Sequence, residues 1–201
     1  MTHTKTSGFT LIETLIAVTI LTFATAGPLY TASRALVAAE IARDQLTASY
    51  LAQEGVEYVR AMRDYEYLTA YKTGDTTAAW TNFRSGSGAG SIAQCRASAC
   101  TLDPTLPMGY GSGSALAAYS GDAPLYLTNC TPSSTGVVCT PPNIYTQRNL
   151  TGSMQTPFTR TIQVSDVAGT TEEEQVVSTV SWSFHGTPYI VTVTNHVTAW
   201  Q

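Results

Sequence analysis

Residues 9–33 form an apolar run, beginning Phe9-Thr10-Leu11-Ile12-Glu13-Thr14-Leu15-Ile16-Ala17-Val18, in which Glu13 is the single charged side chain. Roughly 20 predominantly apolar residues span a bilayer, so this run is long enough to cross one. A carboxylate at membrane depth costs about 2.5–3.5 kcal/mol on insertion scales and therefore calls for a partner or a purpose. The segment reads as a membrane helix with one conspicuous acid near its start.

A short polar leader containing Lys5 precedes Gly8-Phe9-Thr10-Leu11-Ile12-Glu13, and the apolar helix follows it. This order of glycine, aromatic, acid and hydrophobic stretch resembles the class III signal of type IV pilins and type II secretion pseudopilins. The resemblance is tight from Gly8 to about Ala26, looser to about Leu68, and one of layout beyond that. It implies cleavage between Gly8 and Phe9 by a prepilin peptidase on the cytoplasmic side, followed by N-methylation of Phe9. It also implies that Glu13 serves subunit assembly, its carboxylate meeting the Phe9 amine of an adjacent subunit so that each charge offsets the other's penalty in hydrocarbon. The partners implied are other pilin or pseudopilin subunits, the prepilin peptidase, an inner-membrane assembly platform, and membrane lipid before assembly. The chain would be single-pass with its N-terminus cytoplasmic, and later part of an extracytoplasmic filament or the cell surface.

Within that family the expected role is a minor structural subunit of a type IV pilus-like filament. A minor pseudopilin of a type II secretion system is an alternative. So is a membrane-anchored surface adhesin, with Tyr110, Tyr119, Tyr126 and Tyr145 on loops as the contacting residues. An ordinary secretory signal ending at Ala24-Thr25-Ala26 competes for the N-terminus, but Glu13 interrupts the apolar region such a signal requires.

Only 12% of the 201 residues are charged and the formal net charge is −4, which argues against a nucleic-acid footprint across the chain. Past the apolar run the helix is expected to continue to about Asp64. Gly27-Pro28 interrupts it, and a proline inside a helix removes a hydrogen bond and should bend the axis, so Gly27 and Pro28 are assigned to a kink. Val37, Ile41, Ala48, Leu51, Gly55, Val59 and Met62 recur at helical spacing as an apolar stripe. The chain divides into a leader (1–8), a membrane and assembly helix (9–33), an amphipathic continuation (34–68), a loop-rich, disulfide-bearing region (69–158) and a β-meander (159–201).

From Thr69 to Phe158, clusters such as Ser85-Gly86-Ser87-Gly88-Ala89-Gly90 read as loop punctuation, and the expectation is a surface region with short strands at best. The glycines match neither a dinucleotide nor a Walker spacing. Cys95, Cys100, Cys130 and Cys139 all lie here, outside the predicted helix and sheet. An even count in an exported segment reads as two disulfides, with three pairings open. Proximity favours Cys95 with Cys100 and Cys130 with Cys139. Zinc is disfavoured because the spacing is not C-x₂₋₄-C followed by histidines.

The strands expected are 161–167, 175–185 and 189–200. Val176, Val180, Trp182 and Phe184 share one parity, as in a sheet with one buried face. Glu172-Glu173-Glu174 reads as a solvated turn, because calcium loops space their ligands at alternate positions. His185 and His196 are assigned to turn and strand; no nucleophile signature accompanies them, and no enzyme, metal or cofactor is expected. The fold class is α+β: a long N-terminal helix packed on a C-terminal antiparallel sheet, similar to the pilin ladle.

Overall fold

A computed structural model describes residues 8, 10–121, 123–128 and 143–199, together with the backbone at 131–133 and 136–138. The chain divides into two compact units, 1–44 and 45–201. Helix α1 (Leu11–Thr73) contributes to both and is continuous through Pro28. Two short helices follow, α2 (Ala79–Ser85) and α3 (Gln94–Ala97). Then come β1 (Cys100–Leu102), β2 (Leu116–Ala118), β3 (Pro124–Leu127), β4 (Thr131–Ser133), β5 (Gly136–Val138), β6 (Tyr145–Thr146), β7 (Met154–Asp166), β8 (Glu173–Phe184) and β9 (Thr187–Thr198). The class is α+β, a long helix on an antiparallel sheet.

In the second unit α1 buries Ala48, Leu51, Ala52, Gly55, Val56, Val59 and Met62, spaced so that they fall on one face of the helix. The opposing sheet is built on β7, which pairs antiparallel with β8 along one side and with β1 and β3 at different heights along the other. β8 pairs in turn with β9, while β2 and β6 close the far side. Two apolar clusters result. One joins Val56, Val59 and Met62 to Phe83, Ile92, Leu102, Ile162 and Val176. The other joins Ala48, Leu51 and Ala52 to Leu125, Phe158, Val180 and Trp182.

The region 69–158 holds short strands, as expected, but it is not confined to the surface. It supplies α2, α3, β1 to β6 and the start of β7, and it places Phe83, Ile92, Cys95, Cys100, Leu102, Leu116 and Leu125 in the core. Segments of three or four residues carry no readable period; contacts with strands distant in the chain make them regular. Cys95 accordingly sits in α3 and Cys100 in β1, within regular structure and not in loops. β7 begins at Met154, so the expected boundary at 158–159 falls inside a strand. α1 also runs past Asp64, because Glu66 and Ala70 remain buried against the domain.

The acidic triplet differs most. Glu172 precedes β8, but Glu174 is fully buried within it, sharing parity with Val176, Ser178, Val180 and Trp182. Burial is possible because Arg84 on α2 and Arg96 on α3 both bond Glu174 Oε1, and both reach Asp166 Oδ1 at 2.5 Å. Arg160 is another fully buried charge. It donates to the carbonyls of Leu51 at 3.1 Å and Leu102 at 2.9 Å and pairs with Glu54, tying α1 and β1 to β7.

Candidate functional site

Among the described residues the first unit is the N-terminal part of α1, apolar from Leu11 to Ser33 apart from Glu13. Every described residue from 10 to 40 is exposed, including Leu11 at 82% and Phe23 at 81%. α1 is the one helix among the described residues long and apolar enough to cross a membrane. Its hydroxyls turn inward on its own backbone: Thr14 donates to the Leu11 carbonyl, Thr19 to Ile16, Thr22 to Thr19, Thr31 to Pro28 and Ser33 to Tyr30, at 2.8–2.9 Å. A helix in lipid must satisfy its polar groups internally, and these side chains do so without a neighbour.

Glu13 lies in the first turn of α1 and is the acid there. Its N–H donates to the Thr10 carbonyl at 3.1 Å and lies 3.3 Å from Thr10 Oγ1. Thr10-Leu11-Ile12-Glu13 is thus a T-x-x-E capping arrangement, in which the hydroxyl is a second acceptor for the Glu13 N–H. Negative charge at this end also suits the helix dipole. Thr10 was not singled out from the sequence, although the T-x-x-E spacing was there to find it. Gly8 is exposed immediately upstream, while Phe9, and with it the proposed methylation site, lies outside the described residues. Gly27 and Pro28 are internal to α1.

The remaining predicted positions lie in the second unit. Cys95 and Cys100 form a disulfide with Cα atoms 5.3 Å apart. Cys130 and Cys139 lie outside the described residues. Among the described residues no group of three or more His, Cys, Asp or Glu is arranged to hold a metal ion. His196 Nδ1 sits 2.6 Å from Glu173 Oε1, and His185 stacks on Phe184. Of the four tyrosines proposed for surface contact, Tyr145 packs edge-on against Phe158, and Tyr110 is the one most open to solvent.

A cavity of about 850 Å³ opens beside the second half of α1, lined by residues that include Tyr50, Leu51, Glu54, Ile144, Tyr145 and Arg148. Asp103 lies close by, at 3.3 Å from Arg148. Burial pushes its carboxyl pKa up, but hydrogen bonds from Thr105 and Thr146 and the charge of Arg148 outweigh this and hold it below the ordinary value.

An exposed glycine followed by an apolar, internally satisfied stretch of helix with one acid in its first turn fits anchoring in a membrane. Residues 3–27 carry the prokaryotic N-terminal methylation motif, the signature of type IV pilin and pseudopilin precursors. The long helix packed on an antiparallel sheet matches the pilin fold. No curated protein and no solved structure matches the chain.

Proposed function

We propose that this protein is a minor structural subunit of a type IV pilus-like filament. In this reading residues 1–8 are a cytoplasmic leader that prepilin peptidase removes between Gly8 and Phe9, and the new Phe9 amine is methylated. Residues 9–33 hold the subunit in the membrane, with 34–68 as the platform for the external domain. An inner-membrane platform then moves the subunit into a stack of N-terminal helices. Glu13 sets the register of that stack, because its carboxylate and a neighbour's Phe9 amine each lose less by pairing than by standing alone in hydrocarbon.

The supporting observation is the exposed apolar stretch of α1 from Leu11 to Ser33, whose single charge, Glu13, sits in the first turn. The family signature supports assembly with other subunits after processing. Mass spectrometry of the mature N-terminus tests the processing step: a chain beginning with methylated Phe9 is expected, and one beginning at Gly27 would overturn it. Glu13→Ala should still be cleaved but should enter filaments poorly. Normal incorporation of that variant would remove the role given to Glu13.

A further inference from the structure

Along one side of β7 the pairing passes from β1 to β3: Cys100 is opposite Ile162, and Pro124 is opposite Thr159. Where one strand gives way to the other, the sheet opens into a cavity of about 570 Å³, flanked by β2 and by residues 147–149, which follow β6. The cavity lies on the face turned away from α1. Leu125 packs inward with Ala48 and Leu51, so its neighbour Tyr126 points outward, and Gln155 stands directly opposite Tyr126. Thr101 is outward by the same alternation, between Cys100 and Leu102 in the core. It is nevertheless only 6% exposed, at the floor of the cavity.

Amides, hydroxyls and bare main chain make up much of the lining. Tyr126, Gln147, Asn149 and Gln155 contribute side chains, while Gly111 and Gly113, both at positive φ, have only backbone to offer. The two formal charges in the described lining are committed to each other: Arg148 lies 3.3 Å from Asp103, which also accepts from Thr105 and Thr146. The remaining polar groups are free. Among the described residues the Tyr126 hydroxyl and the Asn149 and Gln155 amides make no hydrogen bond, and Gln147 Nε2 is buried without one. A buried donor is costly unless an acceptor reaches it.

We propose that this cavity binds a neutral oligosaccharide. Each sugar hydroxyl both donates and accepts, and so do a carboxamide and a phenol, so the free groups of Tyr126, Gln147, Asn149 and Gln155 match a polyol group for group. The Tyr126 ring gives the C–H face of a pyranose an apolar surface to lie on, with a polar tip at its edge. The volume falls within the roughly 300–1,000 Å³ of small-molecule sites. Other ligand classes fit less well. An apolar ligand would leave the Gln147 amide unpaired in a dry site, and a phosphate or carboxylate would find no uncommitted cation in the described lining.

The test is binding of the full-length chain, in a detergent without a sugar headgroup, to an array of immobilised glycans with neutral, sialylated and sulfated members. Neutral glycans should be retained. Tyr126→Ala and Gln147→Leu should each weaken that retention about tenfold, as the loss of one good contact does. Gln147→Leu keeps the bulk of the side chain and discards an unpartnered amide, so its melting temperature should be no lower than that of the unmodified chain. Tyr71→Ala removes an exposed tyrosine of α1 outside the cavity and should leave binding unchanged. Retention of no neutral glycan, retention of charged glycans alone, or unweakened binding by the folded Tyr126→Ala, Gln147→Leu double variant would each overturn the inference. These readouts do not involve N-terminal processing or filament entry, so their failure leaves the proposed function standing.

Discussion

Gly55 on α1 and Ser178 on β8 meet so closely that a Cβ built on the glycine would lie 2.5 Å from the serine Oγ and 3.3 Å from its Cβ. The absence of a side chain at residue 55 sets the distance between helix and sheet at the centre of the domain. Both residues are buried, and the Ser178 hydroxyl has no hydrogen-bond partner among the described residues.

Gly55→Ala should therefore destabilise the domain by about 1–3 kcal/mol, the usual cost of forcing extra volume into a packed interior. The better helix propensity of alanine offsets only part of this. Ser178→Ala should cost little, since it removes an unpartnered hydroxyl, and the double variant should recover part of the loss. Chemical denaturation of the four proteins gives the coupling energy; simple additivity would show that the two residues do not compete for space.

Arg160 has no exposed surface and serves two backbone carbonyls and one carboxylate. Arg160→Met fills much of the same volume but strands the Leu102 carbonyl, at about 1–3 kcal/mol for a buried group left unpaired, while the Leu51 carbonyl keeps its intrahelical bond. Glu54→Gln should be milder, because Glu54 is partly exposed and the amide oxygen still accepts. The ranking is read from denaturation midpoints.

Acid should loosen the domain through Asp166 and Asp103. The hydrogen bond from Arg96, joined by Arg84, holds the Asp166 carboxyl below its ordinary value of 3.8, and Asp103 is lowered as described above. In each case the unfolded chain binds its proton more readily than the folded one. Their stabilisation is therefore complete above the ordinary carboxylate range and is lost as pH falls through the lower folded values. Thermal melts between neutral pH and pH 2 should show this decline, and Asp103→Asn should flatten it while lowering stability at neutral pH.

The Cys95–Cys100 bridge closes a short loop, with a sequence separation of five. On the chain-entropy estimate such a loop contributes about 2 kcal/mol. Cys95→Ala with Cys100→Ala should lose approximately that much, and reductant should remove at least as much from the unmodified protein, because it also opens the Cys130–Cys139 bridge expected from the sequence. An unchanged melting temperature in both would mean that packing of α3 against β7 holds this region without the bridge.

Local pattern carried some parts of the molecule into view and left others hidden. The alternation of Val176, Val180 and Trp182 announces the buried face of β8, and these residues are buried. Phe184, of the same parity, is only half-buried, since it closes the hairpin at the sheet's end. Of the stripe, Ala48, Leu51, Gly55, Val59 and Met62 likewise lie on the packed face of α1, whereas Val37 and Ile41 are not buried. Glu174 has the same parity as Val176 but reads as a turn residue, because a carboxylate in a core is expected only with partners. Those partners are Arg84 and Arg96, 90 and 78 residues away.

The order of residues along the chain was enough to establish the apolar helix, its single acid, the motif around Gly8 and the hairpin strands. Each of these is written in neighbours or in a short period, and short-range geometry is legible without a fold. Only the folded domain decided that residues 69–158 enter the core, that Arg160 and Glu174 are buried, and that β9 is left as an edge. Whether a charge can be buried, or a strand covered, depends on groups that the chain brings together from far apart.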